Sequence, residues 1–595
     1  MSRCYLDSRG GSKATGKPAE NSYENNPVPD EPGYRRGLSG RRAHARVGLS
    51  FLLLVPRGSR GAKWGIMKIM NDSDDNKVIY FAETDSRHDH RKFGIKTNDR
   101  SKHVYVIGKT GMGKSTLLEN MAIQDIQNGN GIAFIDPHGG TAEKLLEYVP
   151  EERIRDVLYL APFDMEYPVS FNIMEDVGPN KRHLVVNGLM SVFEKIWEDA
   201  WSARMAYILQ NTLLALLEYP GATLLAVNRM YTDKEFRNKV VANVTDVSVK
   251  SFWVDEYAKY TDKYAQEATP AIQNKIGQFA GNPLIRNIIG QSKSSFNLRE
   301  IMDGKKIMIV NLSKGRVGEG NARLLGSMLI TKLYLAAMSR SDEKASALAK
   351  LPQFYLFVDE FQSFADRSFA DILSEARKYK LNLTMAHQYI EQMDEEVRDA
   401  VFGNVGSMIV FRVGAYDADV LEKEFAPTFT AEDLVNLGLR QIYLKLMIDS
   451  VTSPPFSATT IPPIESPEVS YVDKIIEYSR KTFAQPRSEV EKHITRWHEE
   501  GRPATKTALP KAVSMPPSAP PAAKPLERQS PPSISLNSLK TKTDNQRKPD
   551  VKHISDLREA LKAVVGNTKL EAGSKPLEPN KEPSLEELKK ILDVS

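Results

Sequence analysis

Residues 103–127, HVYVIGKTGMGKSTLLENMAIQDIQ, constrain this chain more than any other stretch. The apolar run HVYVIG runs into a glycine loop. The loop opens a segment with Leu117, Leu118, Met121, Ala122 and Ile126 at helical spacing, which Asn128-Gly129 ends. Gly108, Lys109, Thr110, Gly111, Met112, Gly113, Lys114 and Ser115, followed by Thr116, satisfy G-x-x-x-x-G-K-[ST] with a strand before and a helix after. Glycines let the main chain wrap closely around phosphates, and the helix N-terminus adds positive potential. Lys114 is expected to reach the β- and γ-phosphates of ATP, and the Ser115 hydroxyl to ligand Mg²⁺.

The next strand, GIAFI, stops at Asp136, which completes a βαβ unit and predicts a parallel sheet. Sheet texture returns at 305–313 (KKIMIVNLS), 354–360 (FYLFVDE), 381–388 (LNLTMAHQ) and 407–413 (SMIVFRV). Helical patterns separate these runs, as right-handed crossovers require. Between about 175 and 295 the texture is different: RHLVVNGLMSVFEKIW and MAYILQNTLLALLE have apolar residues at helical period, and strand signals are few. The fold class expected is therefore α/β, a P-loop, RecA-like domain with a mostly parallel sheet and a helical insertion. Its parts would be a disordered leader at 1–66, the first part of the P-loop domain at 67–175 and an all-helical insertion at 176–295. The second part of the P-loop domain would fill 296–470, with surface helices at 471–500.

A P-loop needs acids across its mouth, and FYLFVDE supplies them, because five consecutive apolar residues make a buried strand that delivers Asp359 and Glu360. Asp359 would hold Mg²⁺ through its water shell, and Glu360 would orient or deprotonate the attacking water. LNLTMAHQ brings Gln388 to the same rim, since ligands of parallel sheets gather at the strand carboxyl ends. An uncharged amide there can accept from one group while donating to phosphate or water, which suits a sensor; His387 beside it reads as structural. A finger that neutralises transition-state charge should be an arginine from a neighbouring subunit. Arg377, in SEARKYK, is preferred over Arg412 in the later strand.

Composition sets outer limits. With 595 residues the chain is too long for one ordinary core. Its single cysteine, Cys4, excludes internal disulfides and cysteine zinc sites. A net charge of +5 permits a nucleic-acid partner without arguing for one. The basic patches, Arg35, Arg36, Arg41 and Arg42 in the leader and 502–548 in the tail, are read first as solvated charge. His88-Asp89-His90 lacks further ligands and reads as a polar loop, so no metal is expected beyond nucleotide-bound Mg²⁺. VGLSFLLLV at 47–55 falls well short of the roughly 18–20 apolar residues of a membrane helix. The preceding texture suggests a start at Met67 or Met70. Residues 501–595 read as a flexible Pro- and Lys-rich tail. It carries two short amphipathic pieces, 554–565 and 584–594, of the size that docks on a partner.

GKTGMGKST, FIDPHGG, FYLFVDEFQSF and TMAHQY, with helices between the first two motifs and the last two, resemble the type IV secretion coupling proteins. These belong to the HerA/FtsK clade of hexameric DNA-pumping ATPases, and the resemblance spans roughly residues 75–470. It implies that 108–116 is the Walker A loop, Asp359 and Glu360 the Walker B acids, Gln388 the sensor and Arg377 the trans finger. It also implies a homo-hexameric ring with ATP at its interfaces and DNA in its channel. Membrane-bound coupling proteins carry N-terminal transmembrane helices, and none is read here. A cytoplasmic location follows, peripheral to the membrane if the C-terminal helices dock on a membrane or secretion-complex partner. A cytosolic HerA-type translocase in DNA processing, or a protein-moving secretion or pilus ATPase, are the alternatives; a non-hydrolysing scaffold is disfavoured by Glu360.

Overall fold

The computed structural model describes residues 77–85, 90–261 and 269–500. Expectations for the leader, for His88-Asp89, for the tail and for its two amphipathic pieces lie outside the described residues.

The chain forms β1 (Val78–Glu83), β2 (Lys92–Lys96), β3 (Val104–Ile107), β4 (Gly131–Asp136) and β5 (Val157–Leu160) before its long helical stretch. After that stretch come β6 (Ile307–Asn311), β7 (Phe354–Val358), β8 (Leu381–His387), β9 (Ser407–Val410) and β10 (Gln441–Lys445). A small two-stranded ribbon, β11 (Met447–Ile448) with β12 (Val451–Thr452), precedes β13 (Phe456–Thr460). Eleven strands make one sheet in the order β2-β1-β13-β10-β9-β3-β8-β7-β4-β6-β5. From β9 to β5 every neighbouring pair is parallel. From β2 to β9 every pair is antiparallel. The sheet is thus mostly parallel, as expected, with an antiparallel flank.

The parallel strands are buried on both faces, which is why they read as unbroken apolar runs. Their residues alternate between two cores. Val104, Val106, Ile132, Phe134, Tyr355 and Phe357 pack on one face beneath the helices Lys114–Gln127 and Gly140–Glu147. Tyr105, Ile107, Ala133, Ile135, Leu356 and Val358 pack on the other, beneath the helices Arg182–Ile196 and Glu319–Met338. Phe134 and Phe357 stack across β4 and β7 with ring centroids 5.8 Å apart. Fully burying a side chain of this kind stabilises the fold by roughly 1.5–3 kcal/mol.

Between Arg182 and Asp303 the described residues form helices and turns and join no sheet. Several of these helices begin at side-chain caps: Ser202 accepts from the Met205 amide, Asp233 from Phe236, and Asn297 from Arg299 and Glu300. Their apolar residues, Val185, Leu189, Phe193, Leu209 and Leu213 among them, are continuous with the core under the sheet. Two amphipathic helices, Val472–Phe483 and Arg487–Glu499, follow the last strand and bury Ile475, Val490 and Ile494. Among the described residues no helix is long and apolar enough to cross a membrane.

Candidate active site

Loop 108–113 leaves β3 at its carboxyl end and is pinned from both sides. The Gly108 amide donates to the His387 carbonyl of β8 (3.3 Å), and the Lys109 amide to the Arg412 carbonyl just past β9 (2.8 Å). The approach is too close for a side chain at Gly108, where a Cβ would sit 2.5 Å from Cβ of Phe411. Gly113 caps the following helix at φ 117°, a left-handed conformation that costs glycine little. The helix therefore starts at Lys114 with its first amides open toward the loop.

The sheet order brings the other residues to this loop. β8 lies between the P-loop strand β3 and the acid strand β7, so Gln388 emerges between the loop and Glu360. The amide of Gln388 spans that gap: its Oε1 accepts from the Thr110 hydroxyl at 2.8 Å, and its Nε2 donates to Glu360 Oε1. Ser115 Oγ donates to Asp359 Oδ2 at 3.0 Å. Lys114 Nζ donates to the carbonyls of Gly108 (2.6 Å) and Lys109 (3.1 Å), at the mouth of its own loop. Gly108, Lys114, Ser115, Asp359, Glu360 and Gln388 thus share one site, and the remaining residues of 108–116 form its wall.

The electrostatics of the two acids differ. Burial, with the neighbouring Glu360 carboxylate, pushes Asp359 above the usual range. Burial also acts to raise Glu360, but the nearby His138, hydrogen bonds from Gln362 and Gln388, and Lys114 outweigh it and hold the carboxyl at about 2. Gln362 Nε2 donates to Glu360 Oε2 at 2.6 Å. Glu360 is also held at φ 49°, a conformation non-glycine residues seldom adopt and one that clusters at functional sites. Burial lowers Lys114 from its ordinary value.

His138 has a part that sequence reasoning did not assign. Its Nε2 lies 3.7 Å from Glu360 Oε1, and the contact with Glu360 raises its own pKa. Asp136, at the end of β4, builds that turn by accepting from the amides of His138 (2.7 Å) and Ala142 (2.9 Å). The signal was present in FIDPHGG: a buried strand adjacent to β7 ends in an acid on the same rim, and whatever follows must lie beside Glu360. His387 is buried; its Nδ1 is 3.0 Å from the Tyr105 hydroxyl, and burial takes its pKa down to about 3.

Arg377 is not brought to this cluster. It is exposed in the short turn Ala376–Tyr379, ahead of β8, at the end of the sheet opposite to the P-loop. Arg412 is exposed past β9, and its carbonyl rather than its side chain holds Lys109.

The donor set fits a nucleotide and a hard cation. Inward amides at a helix start, an ammonium held by carbonyls and a hydroxyl-carboxylate pair are the groups that phosphate and Mg²⁺ select. A glycine loop between strand and helix, with paired acids two strands away on a mostly parallel sheet, defines the P-loop α/β class. Residues 66–420, more than half of the chain, match the family described as type IV secretory system conjugative DNA transfer, and the chain belongs to that family.

Among solved structures, the plasmid coupling protein TrwB bound to a non-hydrolysable GTP analogue is 14% identical, with a TM-score of 0.49 over 68% of this chain and 92% of that chain. The unbound bacterial conjugative coupling protein TrwBΔN70 is 14% identical, with a TM-score of 0.47 over 64% and 89%. VirB4 of Thermoanaerobacter pseudethanolicus is 12% identical, with a TM-score of 0.44 over 66% and 98%. No match is found among curated proteins.

Proposed function

We propose that this chain is an ATPase that drives DNA through a homo-hexameric ring during conjugative or type IV transfer. The observation that carries the reading is Gln388 bridging Thr110 of the P-loop to an ionised Glu360, beside the Ser115–Asp359 pair, in a member of the conjugative DNA-transfer family. The amides of 108–116 and Lys114 would hold ATP, and Ser115 and Asp359 would hold Mg²⁺. Bound together, they supply a phosphoanhydride to cleave and positive charge to offset the charge that develops on it. Coupling proteins of known structure carry such groups: TrwB has been captured with ADP and Mg²⁺ and with an ATP analogue.

Glu360 is ionised at any physiological pH and oriented by two amide donors, Gln362 and Gln388, which is what a residue that positions or deprotonates water requires. Gln388 touches both that carboxylate and the P-loop, so a change on one side is felt on the other. Arg377 cannot serve its own P-loop, because the seven residues of β8, about 20 Å of strand, lie between them. Its exposure suits a finger given to the next subunit of a ring. DNA as cargo comes from the family rather than from the charge of the chain.

The test is ATP hydrolysis by the purified chain with and without single- and double-stranded DNA over a range of salt. Several-fold stimulation by DNA, lost in Glu360→Gln, is expected. Hydrolysis that DNA never alters would sink the translocase reading and leave an ATPase with another cargo.

A further inference from the structure

β10 runs antiparallel to β9, and this reversal has a consequence for the site. Every parallel strand presents its carboxyl end to the P-loop, whereas β10 presents its beginning. The residue just ahead of β10 is Arg440. Its amide donates to the carbonyl of Met112 inside the P-loop at 3.2 Å. Its own carbonyl accepts from the amide (2.9 Å) and hydroxyl (3.3 Å) of Thr460, the last residue of β13. These bonds hold Arg440 at φ 63°, where a residue with a Cβ is strained. The side chain starts against the loop, with Cγ 3.8 Å from where a Cβ on Gly113 would stand. Among the described residues no carboxylate pairs with Arg440, a residue of intermediate exposure. Strain kept at a residue whose charge has no partner points to a ligand.

The sheet order says which end of that ligand. Glu360 and Gln388 stand on the β8–β7 side of the P-loop, where the terminal phosphate must lie for the water-positioning acid to act. Arg440 stands on the opposite side, beyond β9. We infer that Arg440 is a nucleotide ligand in cis, its guanidinium holding the α-phosphate end that ATP and ADP share. The inference rests on the nucleotide reading above. It makes Arg440 a residue of affinity, distinct from the trans finger expected of Arg377.

The backbone supplies an unusually clean variant. Glycine accepts φ 63° without strain, so Arg440→Gly removes the guanidinium while relieving the main chain. The experiment is equilibrium titration of the full chain, with Mg²⁺, against fluorescent ADP and a fluorescent non-hydrolysable ATP analogue, plus the melting temperature without nucleotide. Arg440→Gly should melt no lower than the parent and bind both nucleotides about tenfold more weakly, by the same factor. Arg440→Lys should recover part of the loss, and kcat at saturating ATP should stay within a factor of two while KM rises. Equal affinity of the parent and Arg440→Gly for ADP would overturn the assignment alone, as would a loss confined to the ATP analogue. Failure of the parent chain to bind either nucleotide would overturn the nucleotide reading and this inference with it.

Discussion

The two ends of the parallel strands bury charge in opposite ways. At the amino-terminal ends, Arg100 and Asp125 form a bidentate pair at 2.9 and 2.8 Å, with side chains 1% and 0% exposed. The Arg100 guanidinium lies 3.8 Å above the Tyr355 ring, and Asn130 adds a further bond to Asp125. His103, one strand-length from the P-loop, donates from one ring nitrogen to the Leu373 carbonyl and accepts the Leu383 amide at the other. At the carboxyl ends, two adjacent carboxylates lie beside a lysine that, among the described residues, donates only to carbonyls. The first arrangement pairs its charges as it stands, although Arg100 Nε has no hydrogen-bond partner. The second crowds two acids together and leaves the lysine without a carboxylate in hydrogen-bond reach, groups that a cation and a phosphate would engage. Burial alone therefore does not mark a functional site; an unfinished charge balance does.

This contrast can be broken by exchanging which end is damaged. Glu360→Gln keeps shape and removes the charge, so hydrolysis should fall by about 10²–10⁴-fold. Nucleotide binding should survive, and the melting temperature should drop only slightly, since the variant loses the Lys114 attraction and hydrogen bonds that favour the ionised carboxylate but also the repulsion with Asp359. Asp125→Asn should do the reverse. Leaving one partner of a buried pair costs about 3–5 kcal/mol, seen as a lower urea midpoint, while the folded fraction hydrolyses normally. If Asp125→Asn spared stability and lost activity, the division between the two ends would be wrong.

The pH dependence of stability sharpens the same point. Burial depresses His103 to about 4 in the fold, against an ordinary value of 6.5. Between those values the unfolded chain binds the proton and the folded chain does not. Stability from this group is complete above about pH 6.5 and declines as pH falls toward 4. The slope is up to about 1.4 kcal/mol per unit. Urea midpoints measured from pH 7 to pH 4 should show the decline, and His103→Asn, which tolerates the positive φ of this position, should flatten it. The smallest effect belongs to Thr110→Val. It removes one neutral hydrogen bond to Gln388, so kcat should fall less than tenfold with nucleotide affinity nearly unchanged.

Much of this was legible in residues 103–127 and 354–388. A glycine loop with lysine and serine at fixed spacing names its own ligand class, and a buried apolar strand can end in two acids only where water or ligand meets them. The parallel half of the sheet was legible for the same reason, since strands covered on both faces must be continuously apolar. The antiparallel flank was harder to see. QIYLK and FSATT are half exposed, so they lack that signature, and nothing local says that β10 reverses direction.

The sequence by itself determined the kinds of groups available: a glycine loop with a lysine, a hydroxyl, two adjacent acids and an amide. Their spacing lies within single elements and is set by local chain geometry. Tertiary structure alone decided who stands beside whom. The insertion of β8 between β3 and β7 put Gln388 against Glu360, the neighbouring β4 put His138 there, and the reversal into β10 laid Arg440 on the P-loop. Strand order is fixed by how two cores close over the sheet, through contacts hundreds of residues apart, and no local pattern in the chain encodes it.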